Sequence, residues 1–311
     1  MTRRSRRVAA WISLGLLVTL AVATAWLLRD PMPHFKERRS QLETVSAMRP
    51  VVEDGYELTS VRVTATSGLS VELMVRRAMA DSAAGRLPLA VILGGHYTGR
   101  QAARMLGETP GVLVAALSYP YEGNPRPDAL TFLRDIPRIR KAFLDTPPAV
   151  MLALDYLLER PDVDTTRAEA IGVSLGAPFI CVAGALDQRI TRVWALHGSG
   201  GSYTPLRANM RRAIPFAPLR GVAAGVANVI INGPRLDPVR WVSQISPRPF
   251  IMVNASGDER LPRPAIDALF NAAREPKEQV WMPGLHVHAD RETIEKLVAI
   301  VMSRVRSAPP N

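Results

Sequence analysis

Glu169-Ala170-Ile171-Gly172-Val173-Ser174-Leu175-Gly176-Ala177-Pro178-Phe179 is the stretch whose reading decides the fold. A short apolar run enters it, and small, helix-compatible residues (Ala177 to Ala185) leave it. Between them Gly172 and Gly176 flank Ser174 in a G-x-S-x-G pattern, which predicts a sharp strand-to-helix turn. Such a turn strains the serine backbone and packs its neighbours so tightly that only small residues fit at the flanks. It leaves the hydroxyl of Ser174 exposed at a helix start. There the helix dipole and the N–H of Leu175 are placed to stabilise a negative tetrahedral intermediate. The motif alone is common, so its surroundings must decide.

Outward from the turn, continuous apolar runs mark strands buried on both faces of a parallel sheet. Leu89 to Leu93 ends in Gly94-Gly95-His96, Val112 to Leu117 ends in Ser118-Tyr119-Pro120, and Ala168 to Val173 feeds the serine. Ile190 to Leu196, Pro249 to Asn254 and Glu278 to Met282 follow. Tyr56 to Thr64 and Ser70 to Arg76 alternate at period two around Thr66-Ser67-Gly68, predicting an antiparallel pair. Helices are expected over 128–146, 149–160 and about 291–306. Strands alternating with helices give an α/β, doubly wound, mostly parallel sheet of about eight strands.

The chain of 311 residues is 47% hydrophobic, ample for one large core, and carries a formal charge of +11. No basic stripe interleaved with aromatics and no zinc spacing is present, so nucleic acid is not an expected partner. The single cysteine, Cys181, excludes an intramolecular disulfide and a Cys-pair metal site, and reads as a buried apolar residue. Arg3, Arg4, Arg6 and Arg7 precede an uncharged stretch over 8–28, long enough to cross a bilayer, with Trp11 and Trp26 near its ends. Residues 1–29 are therefore expected to be a membrane anchor. The alternative is a signal peptide cleaved at Ala23-Thr24-Ala25. Either places the remainder outside the cytoplasm, on the periplasmic side of the inner membrane or secreted. Residues 30–50 read as a linker and lead-in helix, and 51–311 as the main domain.

From about residue 50 onward the chain resembles the α/β-hydrolase superfamily, in particular its esterase and dienelactone-hydrolase-like members. The resemblance rests on Val163-Asp164, on Ile171 to Gly176, on Ala185 to Ile190, and on two later loops. These loops are Ala255-Ser256-Gly257-Asp258-Glu259-Arg260-Leu261-Pro262 and Pro283-Gly284-Leu285-His286. It implies the chain order serine, acid, histidine, with Ser174 as nucleophile, Asp258 as acid and His286 as base. Glu259 is the alternative acid and His288 the alternative base. The resemblance also implies an oxyanion hole of the Leu175 N–H and a donor from the loop after Leu93. That donor is expected to be the His96 N–H, with Gly95 allowing close approach. Where relatives carry His-Gly, this chain carries Gly94-Gly95-His96.

Residues 202–246 read as an insertion holding six arginines between 207 and 240 and an apolar run over 222–231. Such insertions act as lids over the acyl pocket in this superfamily. The expected activity is hydrolysis of a small-molecule carboxylic ester through an acyl-enzyme, with no metal and no organic cofactor. A peptidase or thioesterase would use the same residues, and a non-catalytic hydrolase-like binding protein is the rival from another class.

Overall fold

The computed structural model describes residues 29–95, 98–124, 128–286 and 291–307, together with 11–15, 17–19, 21, 22 and 25. Ten strands form one mixed sheet: β1 (Leu42–Ala47), β2 (Val51–Glu53), β3 (Tyr56–Ala65), β4 (Ser70–Ala78), β5 (Leu87–Leu93), β6 (Leu113–Leu117), β7 (Val163–Val173), β8 (Arg192–Leu196), β9 (Phe250–Ala255) and β10 (Lys277–Met282). Their spatial order is β1-β3-β4-β6-β5-β7-β8-β9-β10, with β2 paired to β3. From β6 to β10 every pair is parallel, and the β1–β4 end is antiparallel.

Period-two geometry divides each apolar run between two cores. Leu89, Val91 and Leu93 face one side, with Phe179, Ile180 and Leu154, whereas Ala90 and Ile92 face the other, with Leu297 and Val301. The first side is covered by three helices, α2 (Ala129–Leu157), α3 (Gly176–Leu186) and α6 (Arg263–Ala272). The second is covered by the last helix, α7 (Arg291–Arg306). The double winding expected from the sequence is thus present, with ten strands rather than about eight.

The structure corrects two expectations. Within 30–50, the lead-in helix is confined to α1 (Met32–Arg38), and Leu42–Ala47 is an edge strand antiparallel to β3. Five of its six residues are exposed, so it has no apolar face to betray it. The two helices expected over 128–160 are one, α2, which runs through Pro137, Pro147 and Pro148. Proline removes an N–H from the helical ladder. Here the Thr146 hydroxyl donates to the Ala142 carbonyl at 2.7 Å, and buried Val150, Leu152, Leu154 and Leu157 hold the second half against the core.

Among the described residues no helix is long and apolar enough to cross a membrane. Ten of the 21 residues of the stretch 8–28 lie outside the described residues. Those described within it, among them Trp11, Leu14 and Leu17, are helical and exposed.

Candidate functional site

Parallel strands ending at one level bring their following loops together. Leu93 pairs with Gly172, Val173 with Leu196, Leu196 with Val253, and Ala255 with Met282. The residues just past these ends are Gly94-Gly95, Ser174, His197, Asp258 and His286. Backbone bonds carry the alignment beyond the strands. Ser174 N donates to Leu196 O at 2.8 Å and His197 N to Val253 O at 2.7 Å. The acid and histidine loops are tied by Ser256 N to Met282 O at 2.8 Å and Gly257 N to Gly284 O at 3.0 Å.

The turn at Ser174 has the strain its sequence predicts: φ is +53°, in the left-handed region that a residue with a side chain rarely adopts. The flanking glycines answer a steric demand. A Cβ at Gly176 would lie 2.1 Å from Leu93 O, and one at Gly172 would lie 2.6 Å from Ala177 Cα. Leu175 stands at the start of α3, where backbone N–H groups have no partner within the helix. Gly95 packs beside Ser174, since a Cβ there would stand 3.9 Å from Ser174 Cβ.

Ser174 Oγ lies 2.9 Å from His286 Nε2, and His286 Nδ1 lies 2.8 Å from Asp258 Oδ2. His286 and the Asp258 carboxyl are buried. The second carboxyl oxygen, Oδ1, accepts from Arg260 N and Leu261 N, both at 2.9 Å. Burial pushes the Asp258 pKa up. The hydrogen bonds from His197, His286 and Leu261 N outweigh that and hold it well below the usual carboxylate range. Glu259 meets the backbone of His286. Its Oε2 accepts from the His286 backbone N–H at 2.9 Å, which ties the two loops together.

Sequence reasoning missed one participant. His197 is buried, at φ +49°, and its Nδ1 lies 3.3 Å from Asp258 Oδ2, the oxygen that also faces His286. The two imidazoles meet edge to face with centroids 4.9 Å apart. The available signal was its place: like Ser174, it directly follows a buried parallel strand. Ligand atoms of His197, Asp258 and His286 lie within 4.8 Å of one another, the one such group among the described residues that could hold a metal ion. Spacings of 2.8 and 3.3 Å between Oδ2 and the two rings are those of hydrogen bonds sharing an acceptor.

Of the remaining expected residues, His96 and His288 lie outside the described residues. His34 is remote from the site and pairs with Asp145 at 2.9 Å. Cys181 is buried in α3, and burial pushes its thiol pKa up.

A cavity of about 320 Å³ opens at Gly95, Ser174, Arg260 and His286. None of residues 202–246 lines it. The insertion forms α4 (Tyr203–Asn209), α5 (Ala217–Ile230) and short turns, and it is anchored elsewhere. Arg140 of α2 donates to Val229 O at 2.6 Å, and Asn232 Nδ2 donates to Arg140 O at 3.1 Å. Toward the site, Asn209 Nδ2 donates to Arg260 O at 3.0 Å.

No family model matches the chain. Two curated relatives, both described as uncharacterized protein YfhR, come from Salmonella typhi and Salmonella typhimurium. They are 27% identical over 148 residues and 26% identical over 144 residues. Each match takes in 44% of this chain and 46% of the relative, so the chain spans about half the length of the curated relatives it matches. Among solved structures, acetyl xylan esterase 1 from Thermoanaerobacterium sp. JW/SL YS485 superposes with a TM-score of 0.60 at 15% identity, over 90% of this chain and 94% of that one. An acetyl xylan esterase from Paenibacillus sp. R4 gives 0.58 at 19%, over 88% and 92%. The alpha/beta hydrolase GrgF from Penicillium sp. gives 0.52 at 15%, over 85% and 99%. The chain has the α/β-hydrolase fold.

Proposed function

We propose that the chain is a serine hydrolase of carboxylic esters that works through an acyl-enzyme. The observation that carries this reading is the unbroken line from Ser174 Oγ through His286 to Asp258, with contacts of 2.9 and 2.8 Å. A serine hydroxyl is a weak nucleophile unless a base removes its proton during attack. In the proposed reaction Oγ attacks the ester carbonyl while His286 Nε2 takes the hydroxyl proton. Asp258 holds the Nδ1 proton in place and steadies the imidazolium. The N–H of Leu175 and a donor from the loop after β5, with His96 as the residue in that role, hold the developing oxyanion. The alcohol leaves with the proton from Nε2. Water, deprotonated by the same nitrogen, then splits the acyl-serine to give the carboxylic acid and regenerate Ser174.

Esterases are among the solved structures sharing this fold, which agrees with an ester substrate. The N-terminal arginines and the apolar stretch 8–28, whose described residues are exposed, support a domain held at the outer face of the inner membrane.

The experiment is rapid mixing of a stoichiometric amount of chain with a p-nitrophenyl ester. The proposal predicts a burst of nitrophenolate approaching one equivalent per chain, followed by slower turnover, and no burst in Ser174→Ala. Burst-free turnover that survives Ser174→Ala would contradict it.

A further inference from the structure

We propose that the esters taken by this site carry a single straight, apolar acyl chain of medium length. It would thread from Ser174 down between the sheet and α7. The inference rests on the serine-hydrolase reading and adds the substrate class to it.

The cavity that opens at Ser174 and His286 continues on the sheet face covered by α7. Ile92, Ile171 and Leu196 form its sheet wall, and Ile294, Val298 and Met302 are among the α7 residues facing them. The helical three are spaced i, i+4, i+8 and so stand in one row along the helix. Thr98, Ser174, Arg260 and His286 are the polar side chains among the described lining residues, and the rest are glycine or apolar. The Thr98 hydroxyl is spent on Gly95 O at 2.9 Å. Ser174 and His286 belong to the reacting group. The deep walls thus offer nothing to hydrogen-bond a sugar, a carboxylate or a peptide, each of which would be stranded there at a cost.

Size narrows the class further. About 320 Å³ sits at the small end of ligand pockets, which run from about 300 to 1,000 Å³. The row from Ile294 to Met302 spans about 12 Å of helix, the length of a chain of roughly eight to ten carbons. Because β7 runs toward the site and α7 away from it, the row leads from the site into the layer. A chain entering at Ser174 therefore lies along it end to end.

Each methylene added up to that length should raise kcat/KM by about threefold to fourfold, since it leaves water for an apolar wall. The test measures kcat/KM of the full chain on p-nitrophenyl acetate, butyrate, octanoate and palmitate. Expected is a rise on the order of 1,000-fold from acetate to octanoate, six methylenes at that factor, and a fall at palmitate. Val298→Trp, which fills the channel, should cut the octanoate-to-acetate ratio at least tenfold. Met302→Ala, which deepens it, should move the optimum to a longer chain. If Val298→Trp fails to fold, the Met302→Ala profile and inhibition of wild-type acetate turnover by octanoate still decide. Octanoate should bind at least tenfold more tightly than butyrate. A wild-type profile that is flat or highest on acetate overturns the chain-length proposal and leaves the hydrolase reading standing. Absence of turnover on every ester, together with an unreactive Ser174, overturns both.

Discussion

His286→Ala lowers kcat on ester substrates by about four orders of magnitude or more, whereas His288→Ala leaves it within about tenfold. The loss in His286→Ala follows from the position of His286. His286 Nε2 stands 2.9 Å from Ser174 Oγ, and Nδ1 of the same ring is engaged by a buried carboxylate. In the proposed reaction, removing that ring removes the proton acceptor for attack and the proton donor for the leaving alcohol. Both act in the transition state, so the loss falls on kcat with little change in KM. Steady-state kinetics on a p-nitrophenyl ester checks it, with circular dichroism confirming that both variants are folded. A large loss in His288→Ala and a small one in His286→Ala would reverse the assignment of the base.

Asp258→Asn is expected to cost about 10³- to 10⁴-fold in kcat and also to destabilise the fold. Asp258 Oδ1 meets two backbone N–H groups and Oδ2 meets two imidazoles. An asparagine can present oxygen to only one of these pairs and turns N–H donors against the other. If the amide nitrogen faces the rings, His286 is driven to the tautomer that protonates Nε2, and it can no longer accept the serine proton. Breaking a buried charged network of this kind costs about 3 kcal/mol or more. The pH dependence has a definite sign. The folded carboxyl titrates below its unfolded value, so its contribution is complete above about pH 4 and is lost as the pH falls toward the folded pKa. Urea unfolding at pH 7 should therefore separate wild type from Asp258→Asn by more than unfolding at pH 3.

Where a residue's role is fixed by local sterics, the sequence was readable. G-x-S-x-G specifies the elbow because a Cβ at either glycine would collide with backbone, and the φ of Ser174 follows from that crowding. The buried strands were readable because both faces are covered, which requires unbroken apolar runs. Asp258 and His286 could be placed only through the resemblance, since a Gly-Asp loop and a Gly-Leu-His loop are ordinary in isolation. What stayed hidden depends on long-range geometry. His197 reaches Asp258 across 61 positions and carries no local pattern to announce it. The edge strand β1 has no apolar face, and α2 runs through a Pro-Pro pair because of core contacts that the local rule cannot weigh. The cavity lies under α7 rather than beneath the arginine-rich insertion. That placement depends on how loops leave the sheet and not on their composition.

All of this depends on Ser174 being the one hydroxyl that the fold makes nucleophilic. Incubating the folded chain with a fluorophosphonate, digesting it and locating the adduct by mass spectrometry measures that directly. The account predicts a single adduct on Ser174, formed far more slowly in His286→Ala. An unmodified Ser174 in folded protein, or an adduct carried by another residue, would contradict it.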